Sequence, residues 1–208
     1  MTTGTNGQHA AQVHLNQVRQ AQVQQEQRRR WRIRIVSVGA AVALIAAVVG
    51  MMLTSRQESS ATTRVAPDFT LTNTSGTKVN LASLRGKSVL LYFSEGAGCQ
   101  ACLVQMGQIE KDPSIAKAGL TVLPIVMNTR EQITADMAAN NVSTPFLLDE
   151  GSVSTAYGTI GKGMHAGLPG HSFVLIDKTG NQRWYGEYPS MWLSTTDLLK
   201  QVRAHLSD

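Results

Sequence analysis

The chain carries two cysteines in 208 residues, and both fall in one stretch, Gly98-Cys99-Gln100-Ala101-Cys102. Two thiols at that spacing read as a working pair. The apolar run Ser88–Ser94 before them predicts a buried strand, and the segment from Leu103 onward predicts a helix. The pair therefore falls at a helix N-terminus, where unpaired backbone N–H groups and the helix dipole favour an anion. A thiolate is an anion, so this placement lowers a cysteine pKa and makes the sulfur nucleophilic. A structural zinc half-site is disfavoured, because a tetrahedral site wants four ligands and no second cysteine pair exists.

The elements that must position this pair begin well into the chain. The net charge of +5 is local: residues 1–34 hold six arginines against Glu26, and the remainder holds 13 basic and 13 acidic residues. A balanced remainder removes the main support for nucleic-acid binding. Residues 35–53, Ile35 to Leu53, contain no charged side chain, which is the length and composition of a membrane-spanning helix. The arginines at 28–34 precede it and only Arg56 follows closely. That asymmetry predicts a cytoplasmic N-terminus and an extracytoplasmic remainder. The rival, a cleaved signal peptide, fits less well: the apolar run is long and no Ala-x-Ala follows it closely. Four segments result: a Gln-rich cytoplasmic tail over 1–34, the anchor over 35–53, a polar linker over 54–66 and a folded domain over 67–208.

Within that domain, Asp68–Thr72 and Lys78–Leu81 alternate around a turn and predict a hairpin. Strands are expected at 88–94, 120–127, 145–148, 172–176 and 182–188. Helices are expected from 103 to 118 (interrupted by Pro113), over 131–140, as a turn at 152–157, and over 195–206 with Ser194 or Thr195 as N-cap. The order describes an α/β sandwich with a mixed central sheet.

The strings Ala66-Pro-Asp-Phe-Thr-Leu71, Val79-Asn-Leu81, Leu84-Arg-Gly-Lys87 and Val89-Leu-Leu-Tyr-Phe93, followed by Cys-x-x-Cys, resemble the thioredoxin-like superfamily. Within it they are similar to membrane-anchored extracytoplasmic thiol-disulfide oxidoreductases and to redoxin domains of the peroxiredoxin (AhpC/TSA-like) type. Phe173-Val-Leu-Ile-Asp-Lys-Thr-Gly180 resembles their C-terminal hairpin. The resemblance spans about residues 64–207 and implies a thioredoxin-like sandwich with an N-terminal β-hairpin extension.

The chain departs from these relatives in three places. The position that holds a cis-proline in thioredoxins falls on His171, with Pro169 two residues earlier. The peroxiredoxin loop Pro-x-x-x-Thr-x-x-Cys has neither its proline nor its threonine in Ser94-Glu-Gly-Ala-Gly-Cys99, which predicts slow peroxidase chemistry. Gly96-Ala-Gly98 replaces the tryptophan that many relatives carry before the first cysteine. His171-Ser-Phe-Val-Leu-Ile176 also resembles copper chaperones of the Sco type. That resemblance implies an alternative copper site of Cys99, Cys102 and His171, although Sco pairs are spaced one residue wider.

The expected reaction has Cys99 attack a disulfide in a substrate protein and Cys102 resolve the mixed disulfide. It needs no cofactor. Outside the cytoplasm, re-reduction would require a membrane-embedded electron carrier. Glu95 is expected as an exposed loop carboxylate, with a proton relay near the second cysteine as the alternative that the resemblance offers. His165, among four glycines, is expected in a surface loop.

Overall fold

The structure, a computed structural model, describes residues 59–60 and 63–206, with Gly39 and Ile45 as isolated positions. The expected tail (1–34) and anchor (35–53) otherwise lie outside the described residues. Among those described, no helix is long and apolar enough to cross a membrane. The described residues from Ser59 to Leu206 belong to one compact unit.

The strands are β1 (Ser59–Ser60), β2 (Arg64–Val65), β3 (Thr70–Asn73), β4 (Lys78–Asn80), β5 (Ser88–Phe93), β6 (Leu120–Val126), β7 (Leu147–Leu148), β8 (Ser172–Ile176) and β9 (Asn181–Glu187). The helices are α1 (Gln100–Lys111), α2 (Pro113–Lys117), α3 (Arg130–Ala139), α4 (Ser152–Ala156) and α5 (Thr195–Leu206). The strands form one mixed sheet in the order β1-β9-β8-β5-β6-β7-β3-β4, with β2 also on β9. β5, β6 and β7 are parallel neighbours; β8, β9 and the β3–β4 hairpin run antiparallel. This is the thioredoxin-like α/β sandwich with a mixed sheet. β1 and β2 lie in the segment expected as a linker; they add to the edge of β9 at Gly186, Tyr185, Gln182 and Asn181.

β5 is buried along its whole length, as a central strand covered on both faces must be. Its residues alternate between two cores. Leu90 and Tyr92 face one with Phe173, Leu175, Trp184, Leu103 and Leu198. Val89, Leu91 and Phe93 face the other with Val174, Ile176, Phe69 and Val153.

The helix boundaries have local causes. α1 starts at Gln100, three residues before the sequence predicts, because the Cys99 sulfur accepts the Cys102 N–H at 3.3 Å and caps the helix itself. Asp112 ends α1 and caps α2 by accepting Ser114 N–H, with Pro113 in the first turn, where its missing N–H costs nothing. α3 opens with a capping box between Thr129 and Gln132. Ser194 caps α5 by accepting Asp197 N–H at 3.1 Å. Asp177 closes the β8–β9 turn by accepting from Thr179 N and Asn181 N.

Candidate active site

β5 carries the chain out of the sheet at Phe93, and six residues later the chain reaches Cys99, the N-cap of α1. Cys99 and Cys102 are joined as a disulfide with Cα atoms 5.3 Å apart. Cys99 is 7 % exposed and Cys102 1 %, so an incoming group meets Cys99 first. The N–H of Cys102 points at the Cys99 sulfur, and a donor there stabilises negative charge on that sulfur when the bond opens.

The turn before Cys99 is fixed by side chains from the neighbouring parallel strand and its helix. β5 and β6 are in register at Phe93 and Ile125. Their C-terminal ends therefore lie side by side, which is where parallel sheets gather functional groups. Asn128 Oδ1 accepts Ala97 N–H at 2.8 Å, and Asp136 Oδ2 accepts Gly98 N–H at 2.7 Å. The Gln100 side-chain amide donates to Asn140 Oδ1 just beyond. Gly96 has φ +73° and lies so close to β6 that a Cβ would sit 2.0 Å from Asn128 Oδ1 and 2.7 Å from Val126 Cγ1. Gly96 occupies the place of the peroxiredoxin threonine, three residues before the cysteine. The departure is thus built into the packing: a threonine does not fit here without moving Asn128 and Val126.

His171 comes beside the pair through Tyr92. Tyr92 Oη donates to Cys102 O at 3.1 Å and lies 3.2 Å from His171 Nδ1. The phenol has one proton and a carbonyl can only accept, so His171 Nδ1 carries the proton that bonds Tyr92 Oη. His171 Nε2 is then a bare lone pair, buried and without a partner. The imidazole is 1 % exposed and packs edge-on against Tyr92 and Phe173. Burial pushes its pKa down to about 4, so it is neutral at pH 7. Burial likewise pushes the Tyr92 phenol well above its ordinary value. Pro169 is buried in an isolated antiparallel bridge with Ile160, and among the described residues it makes no hydrogen bond to either cysteine. No cis peptide bond occurs among the described residues.

Glu95 is not the exposed loop carboxylate the sequence predicts. It is 2 % exposed, and the loop 161–167 folds over it. Its carboxylate accepts His165 N–H at 3.0 Å and meets His165 Nδ1 at 2.8 Å. Gly163 is pressed so close that a Cβ would lie 2.4 Å from Glu95 Oε1. His165 itself is exposed, as expected of a surface loop, but it is tied to a buried partner. No group of three or more His, Cys, Asp or Glu side chains among the described residues is arranged to hold a metal ion. Cys99 and Cys102 are bonded to each other, and with His171 they do not form such a group.

The sequence reading singles out neither Tyr92, Asn128 nor Asp136. Tyr92 carries a signal: a phenol inside a fully buried strand needs a partner, since a buried hydroxyl without one is costly. Asn128 lies just past a parallel strand, the zone where site residues collect. Asp136 lies six residues into a helix and carries no such signal.

A protein-family model described as the AhpC/TSA family matches residues 62–184. A Mycobacterium tuberculosis protein provisionally described as a peroxiredoxin is 32% identical over 99 residues, covering 47% of this chain and 63% of its own. Peroxiredoxin Q from Sedum lineare chloroplasts is 29% identical over 119 residues, covering 55% and 62%. The chain thus spans somewhat under two thirds of these curated relatives. A solution structure from Bacteroides thetaiotaomicron, provisionally described as a protein disulfide isomerase, matches with TM-score 0.54 and 28% identity over 70% of this chain and 89% of that one.

Proposed function

The chain belongs to the AhpC/TSA family, and from that premise we propose that it is a thiol-disulfide oxidoreductase that reduces disulfides in partner proteins. One observation carries the reading. Cys99 and Cys102 form a disulfide at the start of α1, with the more exposed sulfur at the helix cap and the less exposed one a turn inside. Reduced, Cys99 attacks a partner disulfide as the thiolate and releases one partner thiol. Cys102 then attacks the Cys99 sulfur of the mixed disulfide and releases the second. The partner gains two electrons and two protons, and the pair leaves as the Cys99–Cys102 bridge. His171 and Tyr92 hold Cys102 by its carbonyl during this exchange. Asn128 and Asp136 hold the turn that presents Cys99.

The proposal also locates the domain on the extracytoplasmic side of a membrane, tethered through residues 35–53. The charge asymmetry around that segment supports this. A membrane-embedded electron carrier would then return the pair to its reduced form. Reduction of insulin disulfides driven by dithiothreitol tests the reading: turnover must vanish in Cys99→Ser, and turnover equal to the parent's sinks it.

A second reading is a thiol peroxidase, favoured by the peroxiredoxins among the relatives. Cys99 thiolate would attack a peroxide O–O bond to give a sulfenic acid and an alcohol or water; Cys102 would then close the bridge and release water. The packing at Gly96, which excludes the threonine of that family's loop, sets this reading second. Peroxide consumption faster than insulin reduction under the same conditions would reverse the order.

A further inference from the structure

α3 grips the chain on both sides of Cys99. Asp136 Oδ2 takes the amide of Gly98 immediately before it, and Asn140 Oδ1 takes the side-chain amide of Gln100 immediately after it. Asp136 and Asn140, the C-cap of α3, are four apart and so lie on one side of that helix end. They are also joined, since Asn140 Nδ2 donates to Asp136 O at 2.8 Å. Asp136 lies in the last turn of α3, where the helix dipole presents its negative end. The carboxylate and that dipole therefore oppose the positive end of α1, which favours a Cys99 thiolate.

Among the described residues no cation pairs with Asp136. On its own helix, Arg130 is turned to Thr74 O. Glu95, in the turn before Cys99, is occupied by His165. His171, which reaches the pair through Tyr92, is neutral. Lys162, in the covering loop, pairs with Glu187. On α1, Glu110 is bonded to Ser143 and Thr144, and Lys111 lies at the far end of the helix.

We propose that Asp136 is a positioning residue that sets the direction of electron flow at this dithiol. Its carboxylate holds the turn presenting Cys99 and leaves a negative charge at the amide of the residue before it. That charge disfavours the thiolate, favours the disulfide, and so makes the reduced pair a donor of electrons. The inference rests on the oxidoreductase reading of the same site and adds the residue that biases its direction. In balance, the reduced pair loses two electrons and two protons as its S–S bond forms. A partner disulfide accepts them and is cleaved to two thiols.

The test uses the full chain with Asp136→Asn, which keeps an oxygen for Gly98 N–H but removes the charge, and Asp136→Ala, which removes both. In a Cys102→Ser background, alkylation of Cys99 by iodoacetamide is followed against pH. The Asn variant should move the profile to lower pH and raise the rate at pH 6 about two- to fivefold. That range is a near-surface unit-charge effect reduced by the lower nucleophilicity of a more stable thiolate. With both cysteines present at pH 9, equilibrium with dithiothreitol should move about two- to tenfold toward the dithiol. If Asp136→Asn matches the parent in both measurements, the proposal is overturned, and a change confined to Asp136→Ala marks the carboxylate as a hydrogen-bond acceptor only. The alkylation profile does not depend on turnover. If it moves while Cys99→Ser still reduces insulin, the oxidoreductase reading fails and the effect of Asp136 on the thiolate stands.

Discussion

Acidification should destabilise this domain through His171, and the magnitude can be worked out. Burial holds the imidazole at about 4, against an ordinary value of 6.5. In the unfolded chain the ring takes up a proton as the pH falls below 6.5. In the folded protein it stays neutral until about pH 4, because Nε2 is buried without a partner and Nδ1 already donates to Tyr92. The unfolded state therefore binds more protons across that window, so stability is full above pH 6.5 and declines as the pH falls toward 4. The gap between the two values corresponds to about 3 kcal/mol. The carboxyls held low, such as Asp177 by Thr179, Asn181 and Arg183, lose their contributions only near and below pH 4, so they hardly overlap. Urea unfolding at pH 7, 5.5 and 4.5 should show most of this loss in the parent. His171→Leu should remove most of the slope while remaining folded at pH 7. A variant that loses stability with pH as steeply as the parent would refute the buried neutral histidine.

Three other outcomes are expected. Trp184 is fully buried in the core beneath α5, and Trp184→Ala should cost about 3–5 kcal/mol of unfolding free energy in urea titration. Gly96→Thr should lower the melting temperature without raising peroxide consumption, because a side chain at 96 collides with Asn128 and Val126; a stable variant with faster peroxidase activity would contradict the packing argument. His165→Ala should remove the imidazole contact and leave only the residue-165 N–H on Glu95, loosening the loop 161–167 and speeding its cleavage in limited proteolysis, with cleavage sites elsewhere unchanged.

The fold is legible in the sequence where burial and local chemistry agree. The uninterrupted apolar run at 88–93 can only be a covered strand, and Asp177-Lys-Thr-Gly180 writes its turn in its own side chains. Pro113 marks the break between α1 and α2. The start of α1 was less visible, because a cysteine sulfur acting as the cap has no pattern in the usual set of N-cap residues. The strands at 59–60 and 64–65 are equally hidden: they are polar edge additions, held by backbone pairing to β9 rather than by apolar side chains.

The dithiol was legible from spacing alone, but its surroundings were not. Glu95 looks exposed because glycines follow it closely and its partner, His165, is 70 positions away. Asp136 and Asn128 reach the turn before Cys99 only because β5 and β6 lie side by side, a relation between segments that no local pattern records. The sequence marks His171 by its place before β8, but the tyrosine that joins it to Cys102 shows only in the folded strand pair.

The central claim is that Cys99 and Cys102 form a couple that gives electrons to partner disulfides. Its reduction potential tests this most directly, by equilibrating the full chain against defined thiol-disulfide ratios and counting free thiols by mass. The account predicts a value near that of thioredoxin, about −270 mV. A value near that of strong oxidants, about −120 mV, or a pair that never opens under these ratios, would contradict it.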